Sequence, residues 1–369
     1  MRSRLVAKEI NTGKMEDLFA ATPPLETLKL LFSMAVTEGQ GYNVGSRKNG
    51  KNIDFIDVRR AYFHAKARRE VYVDLPNEDF EEGMCGMLQK SMYGTRDAAV
   101  NWEVEYAEWA QSIGFIRGRA NPCAYNHPSK DLKMVIHGDD FTILGYEQNL
   151  DWLRNEFSKK FEVKYRCRLG PGDNDDKNIR ILNRIVQWDK SGIKWEADQR
   201  HAEILNNEMG FEANTKSVVA PGVKMSADDI VKWEEPISEG SVTRYRACAA
   251  RAMYLAQDRS DIGYAVKEVS RGMSAPTEGD LANLKRLCRY LIGKERMVMH
   301  YHYQEAGRRI NIWSDTDYAG CVRTRKSTTG GVCMIGDHMV KSWCTTQAVI
   351  ALSSGEAEYY GLVKGSSIG

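Results

Sequence analysis

Residues Val135-Ile136-His137-Gly138-Asp139-Asp140-Phe141-Thr142-Ile143-Leu144 set a Gly-Asp-Asp tripeptide between two apolar, β-rich runs. Flanks of this kind predict strand, tight turn, strand. Glycine supplies the unusual φ that a tight hairpin turn needs. The two aspartates at the tip have two readings. One is an exposed acidic turn. The other is a cation site, because adjacent carboxylates repel unless a positive charge lies between them.

A second segment bears on that choice. Phe55-Ile56-Asp57-Val58-Arg59-Arg60-Ala61-Tyr62-Phe63-His64 ends an apolar strand in an aspartate, and a small residue and an aromatic pair follow four to six positions on. Asp57 beside the hairpin tip would make a site of three carboxylates. Hard oxygen ligands suit Mg²⁺, which keeps water and substrate phosphates in its remaining positions. Two such ions roughly 3.5–4 Å apart can clamp the attacking and leaving oxygens of a phosphoryl transfer. The chemistry is nucleotidyl transfer.

Around these segments the pattern is mixed. A helix is expected from Pro24 to Val36, with Leu25, Leu28, Leu31 and Phe32 on one stripe, and a polar loop from Glu38 to Asn52. Glu70 to Leu75 reads as a strand. Trp102, Tyr106 and Trp109 stand at helical spacing, as do Leu150, Leu153, Phe157 and Phe161, and core packing accounts for both stripes. Gly170 to Asn178 is a loop and a candidate boundary. Helices dominate from Gln199 to Gly293. Strands return at Ile310–Ser314, Gly331–Ile335 and Met339–Trp343, and a helix starts near Ser353.

Composition narrows the classes. The 369 residues suggest two or three domains at about 100–200 residues each, and 42% hydrophobic with 28% charged residues argues against wholesale disorder. Lys plus Arg number 52 and Asp plus Glu 50, a net charge of +2, so any nucleic-acid-binding surface must be local. No run approaches the roughly 18 apolar residues of a membrane span. The N-terminus carries no apolar signal region, so secretion is not expected. The eight cysteines form no Cys-x-x-Cys pair, which speaks against a zinc finger and fits a reducing compartment.

The order of FIDVRRAYFHA (55–65), LQKSMYGTRDAAVNW (88–102) and VIHGDDF (135–141) resembles the reverse transcriptase of copia-type LTR retrotransposons. Tyr245-Arg246-Ala247, Met253-Tyr254-Leu255-Ala256 and Asp261-Ile262-Gly263-Tyr264-Ala265-Val266 extend the likeness. So do Ser314-Asp315-Thr316-Asp317-Tyr318-Ala319-Gly320, Arg325 to Gly330 and Ala351 to Tyr359, which resemble the family's ribonuclease H domain. The resemblance implies an α+β fold. It would be a right-hand polymerase of fingers, palm and thumb, followed by an incomplete ribonuclease H-like α/β domain. The expected bounds are 1–193 for fingers and palm, 194–307 for a thumb-like and connecting region, and 308–369 for the last domain.

By the same resemblance, Asp57, Asp139 and Asp140 are the catalytic, metal-binding carboxylates, served by Mg²⁺ or Mn²⁺. Tyr62, beside Ala61, closes against the sugar of the incoming nucleotide, so the product is DNA. Arg4 and Lys8, on a fingers strand, are candidates for triphosphate contact. The family usually has Tyr-Val before the two aspartates; here His137-Gly138 stand there, and His137 is assigned a packing or primer-contact role. The implied partners are a primer–template nucleic acid, RNA or DNA, and dNTPs, with no membrane. The expected location is intracellular, in the cytoplasm, with the nucleus as the alternative.

The C-terminal segment holds a second set of acids. Asp315 ends a strand, and Ser353 with Glu356 is expected to form a capping box, which leaves Glu358 as the ligand. The resemblance makes Asp315 and Glu358 the first two acids of a ribonuclease H site and Asp317 a neighbour. The remaining acids of that site are expected beyond Gly369, so no ribonuclease H activity is expected. An uncovered sheet edge and exposed apolar surface should follow. Two basic clusters could contact phosphates: Arg59, Arg60, Lys66, Arg68 and Arg69, and Lys285, Arg286, Arg289, Lys294 and Arg296 with Tyr290 and Tyr301 nearby. A chain that binds nucleic acid without extending it is the alternative reading, and another palm-type enzyme such as a cyclase is a third.

Overall fold

The computed structural model describes residues 5–10, 13, 18–212, 214–223, 234–307 and 309–369. They fall into two compact units, residues 1–35 with 40–177 and residues 36–39 with 178–369. Residue 193, the expected palm limit, lies inside a strand of the second unit.

The first unit is built on β1 (Asn52–Val58), β4 (Ile116–Arg117), β5 (Ala124–His127), β6 (Leu132–His137), β7 (Asp140–Gly145) and β8 (Val163–Leu169). They form one antiparallel sheet in the order β4-β5-β6-β7-β1-β8. The short pair β2 (Tyr72–Val73) and β3 (Gly86–Met87) is separate. It is all that forms of the strand expected over Glu70–Leu75.

Alternation decides which side chains face which layer. Ile56, Val58, Met134, Ile136, Phe141 and Ile143 join a core with α2 (Ala98–Ser112) and α3 (Glu147–Lys160). Trp102, Tyr106, Trp109, Leu150, Leu153, Phe157 and Phe161 from the two stripes complete it. Ile53, Phe55, Val135 and Leu144 are buried as well, with the opposite parity along the same strands. The helix α1 (Leu25–Ala35) packs on β6 and β7. A sheet covered on both faces explains the nearly continuous apolar runs.

A carboxylate lies inside this layer. Asp54 is 1% exposed and is gripped by two guanidiniums, Arg154 from α3 (Nε–Oδ2 2.6 Å) and Arg168 from β8 (Nε–Oδ1 2.7 Å). Paired forks of this kind offset the desolvation of a buried carboxylate.

The second unit contains the antiparallel sheet β12-β11-β10-β9, formed by β9 (Asn178–Ile181), β10 (Arg184–Asp189), β11 (Gly192–Ala197) and β12 (Val298–His302). The sequence reading did not foresee β9 to β11. The helices α4 (Arg200–Glu208), α5 (Glu239–Ala256), α6 (Gly263–Arg271) and α7 (Glu278–Gly293) form the expected helical region around their own core. Arg184 on β10 and Asp258 just after α5 make a buried ion pair at 2.8 Å, and the Trp195 indole donates to the same carboxylate. Thr277 and Asp280 form a reciprocal capping box at the start of α7.

The chain then forms β13 (Ile310–Thr316), β14 (Thr328–Ile335) and β15 (His338–Thr346), an antiparallel sheet in that order, and α8 (Ser354–Ile368). Gly361 and Gly365 let α8 lie close on Thr316, Ser314 and Ile312. Ser353 accepts the Glu356 amide as expected, but the Glu356 carboxylate reaches Leu352 N rather than closing the box on Ser353. Trp313, Tyr359, Leu362 and Val363 are exposed.

Trp102 joins the first unit's core to its hairpin. Its ring is 2% exposed and its indole donates to Gly138 O at 2.9 Å. Trp102→Ala should cost about 3–5 kcal/mol, whereas Trp102→Phe, which keeps an aromatic ring but loses half of the indole and its hydrogen bond, should cost less, about 1–3 kcal/mol. Urea unfolding of the two variants beside the wild type measures both.

Candidate active site

The hairpin β6–β7 turns through two residues, Gly138 and Asp139. Gly138 has φ 65°, the left-handed backbone expected of it, and no side chain to strain. Trp102 fixes the turn from one side through the Gly138 carbonyl. Val58 N fixes it from the other by donating to Asp139 O at 2.9 Å.

That pairing brings the three carboxylates to one end of the sheet. Asp57 on β1 stands directly opposite Asp140 on β7, and Asp140 stands opposite His137 on β6. Asp139 is exposed at the turn; Asp57, Asp140 and His137 are partly buried. Burial pushes the Asp140 carboxyl above its ordinary value, and the charges of Asp139 and Asp57 push the same way, against the pull of Arg166. Arg166 donates to Asp140 Oδ1 at 3.0 Å.

Arg166 reaches that place because β8 is bulged. Phe55 pairs with Cys167 and Ile56 with Tyr165, so Arg166 is the extra residue between them. A bulge re-aims side chains. The sequence reading missed Arg166. The alternation of Lys164, Arg166 and Arg168 is a signal for a strand face, but the register slip leaves no trace in the sequence.

Tyr62 lies on a short 3-10 turn, Ala61–His64, entered through Arg60 at φ 54°. Ala61 is buried, and the Tyr62 ring lies 4.6 Å from that of Tyr93. Burial raises the Tyr62 phenol pKa, and the Asp139 charge adds to this. The turn after β1 therefore sets Tyr62 within the field of the hairpin acid.

The donors fit a hard divalent cation in kind. They are carboxylate oxygens, and their mutual repulsion marks a local deficit of positive charge. Among the described residues, however, no set of three or more His, Cys, Asp or Glu side chains is drawn closely enough to hold a metal ion.

Other expected positions fall elsewhere. Arg4 lies outside the described residues. Lys8 is exposed on an extended segment, residues 5–10, that forms no strand, contrary to expectation. That segment is tied down by Ala7 N to Tyr93 O and by Glu9, which accepts from Arg69 and Arg96. In the first basic cluster, Arg59, Arg68 and Arg69 are paired with Glu162, Glu108 and the Glu9–Asp97 pair. On α7, Lys285 is exposed, Arg286 is half-buried, and Arg289 donates to Lys216 O. Tyr290 and Tyr301 are buried, with Tyr290 bonded to Asp261, so they add nothing to a duplex-binding face beside that cluster. They are core residues.

In the C-terminal sheet, alternation puts Ile312, Ser314 and Thr316 under α8 and turns Asp315 to the other face. Glu358 is carried by α8, so the packing sets the two acids on opposite sides of the sheet. Asp317 accepts from Thr328 N at 2.6 Å, the part of a structural neighbour.

Comparison with known proteins shows what the chain is similar to. Residues 1–171 match the family described as reverse transcriptase (RNA-dependent DNA polymerase). The chain is 26% identical over 380 residues to the retrovirus-related Pol polyprotein from transposon RE1 of Arabidopsis thaliana, covering 99% of this chain and 24% of that protein. It is 25% identical over 374 residues to the corresponding polyprotein from transposon TNT 1-94 of Nicotiana tabacum, covering 97% and 26%. It is 28% identical over 234 residues to an uncharacterized mitochondrial protein of Arabidopsis thaliana, covering 63% and 90%. Nearly the whole chain is thus similar to retrotransposon Pol polyproteins, and its residues 1–171 to a reverse transcriptase domain. It spans about a quarter of the length of the Pol polyproteins it matches.

The Asp140 environment predicts a pH signature. Its folded pKa is raised above the ordinary 3.8. The native state therefore holds this proton after the unfolded chain has lost it, and stability falls as pH rises from about 4 through the folded value. Asp140→Asn removes that loss. It should raise the unfolding midpoint at pH 7, and the gain should vanish when both proteins are compared below pH 4. Thermal unfolding at the two pH values measures it.

Proposed function

We propose that this chain is an RNA-directed DNA polymerase of the copia type that works by two-metal nucleotidyl transfer. One observation carries the reading: Asp57 is in register with Asp140, beside Asp139 at the tip of the neighbouring hairpin. The family match over residues 1–171 supports it.

In this reading the six-stranded sheet is the palm, the helices α4 to α7 belong to a thumb-like and connecting region, and residues 308–369 are ribonuclease H-like. The partners are a primer–template, RNA or DNA, and dNTPs, and the location is intracellular, in cytoplasm or nucleus. Among the described residues no helix is long and apolar enough to cross a membrane.

The reaction is attack of a primer 3′-hydroxyl on the α-phosphorus of a dNTP, with pyrophosphate leaving. Asp57, Asp139 and Asp140 would hold Mg²⁺ or Mn²⁺, which when bound supplies charge to neutralise the phosphates and acidify the attacking hydroxyl. The carboxylates fix where that charge sits. Tyr62, braced on Tyr93 and with its phenol kept protonated, presents ring bulk to the nucleotide sugar and disfavours a 2′-hydroxyl. Ala61 keeps the backbone beside it compact. His137, at the end of β6 opposite Asp140, contacts the primer strand. Arg4 and Lys8 serve the triphosphate, and Lys285, Arg286 and Arg289 the duplex phosphates. The placement of Asp315 and Glu358 on opposite sides of their sheet supports weak or absent ribonuclease H activity.

Primer extension on an RNA template tests the reading. Wild type should incorporate dNTPs with Mg²⁺ or Mn²⁺, and Asp57→Asn or Asp139→Asn should lose at least about a hundredfold. Added salt should weaken primer–template binding. Equal incorporation by wild type and variants, or none by wild type, contradicts it. Tyr62→Ala should raise ribonucleotide incorporation relative to dNTPs while leaving primer–template affinity unchanged, measured by competition between the two nucleotide types.

A further inference from the structure

We infer that Arg166 is a built-in counter-cation of the carboxylate site, and that a divalent ion must displace its guanidinium from Asp140 in order to bind. The inference rests on the proposed metal site and goes beyond it.

Three observations converge. Asp140 is partly buried with two further carboxylates beside it, so its charge needs a partner. Arg166 supplies one, Nη1 to Oδ1 at 3.0 Å. Arg166 is also the extra residue of the β8 bulge, opposite the Phe55–Ile56 step, and so is re-aimed rather than fixed by the ladder.

The remaining geometry agrees. Asp57, Asp139 and Asp140 lie at one sheet end, yet among the described residues no three acidic, histidine or cysteine side chains close into a ligand cluster. In this arrangement the Arg166 guanidinium lies against Asp140. It satisfies one carboxylate and puts a positive charge where an incoming cation would be repelled. Arg166 and Asp140 side chains are both 31% exposed, so the pair is weak enough to exchange. Of the flanking residues of β8, Arg168 is held by Asp54 and Asp151, and Lys164 is the strand partner of Asp57 rather than of Asp140.

Removing the positive charge should therefore tighten cation binding, the reverse of what loss of a site residue does. For a partly exposed pair the expected gain is about three- to tenfold.

The test is titration of the full chain with Mn²⁺ alone, read by the free-ion electron paramagnetic resonance signal. Arg166→Gln should lower the Kd about three- to tenfold, Arg166→Lys should stay near wild type, and Asp57→Asn should weaken binding. In parallel, Mg²⁺ should shift the Arg166 guanidinium ¹⁵N resonance of the wild type, assigned by its absence in Arg166→Lys. This readout does not depend on how well the Gln variant folds. Binding that Asp57→Asn weakens but Arg166→Gln leaves unchanged or weaker overturns the counter-cation role and keeps the metal site. An unshifted resonance at saturating Mg²⁺ does the same. No Mn²⁺ binding by wild type and Arg166→Gln alike, or binding indifferent to Asp57→Asn, overturns the metal site and the counter-cation together.

Discussion

The antiparallel pairing of β1 with β7 is the constraint on which the rest depends. Its register sets Asp57 against Asp140, and a slip by one residue would turn one of them into the apolar core. The register is pinned from several sides. Ile56 and Phe141 pair toward α2 and α3, and Phe55 and Thr142 pair on the opposite face. Trp102 holds the turn by its carbonyl, and Asp54 locks β1 to α3 and β8 through two arginines. Four independent contacts thus act on a site whose own carboxylates repel. The apolar core supplies the stability that holds the acids at one end of the sheet.

Much of this was legible in the sequence because it is local. The Leu150–Phe161 stripe and the Trp102–Trp109 stripe became α3 and α2, since period 3.6 is fixed by neighbours three and four positions apart. Gly138 took the left-handed backbone its turn requires. The Gly170–Asn178 loop coincides with the end of the first unit at Lys177. The convergence of Asp57 with the hairpin is not local; the family resemblance implied it, and the strand register displays it.

What the sequence did not disclose depends on pairing and burial. The β8 bulge is a property of two strands together, so no sequence signal marks Arg166 as a site residue. Tyr290 and Tyr301 looked available beside basic residues, yet Tyr290 turns inward to Asp261 and Tyr301 is enclosed by the second unit's sheet. The N-terminal segment has strand-like residues but no partner strand, and its fate was set by Glu9 meeting Arg69 and Arg96. The last sheet followed its expected strands, while the direction of Asp315 followed from which face α8 chose, a choice that Gly361 and Gly365 make by allowing close approach.

The central claim is spatial: residues far apart in sequence share one cation-binding site. Iron-mediated cleavage tests it most directly. Fe²⁺ substituted into the site, with ascorbate and peroxide, releases hydroxyl radicals that cut the nearest backbone, and mass spectrometry maps the cuts. The account predicts paired cuts around Asp57–Arg60 and around Gly138–Phe141, both suppressed by excess Mg²⁺. Cuts confined to one of these segments, or scattered elsewhere and indifferent to Mg²⁺, would contradict it.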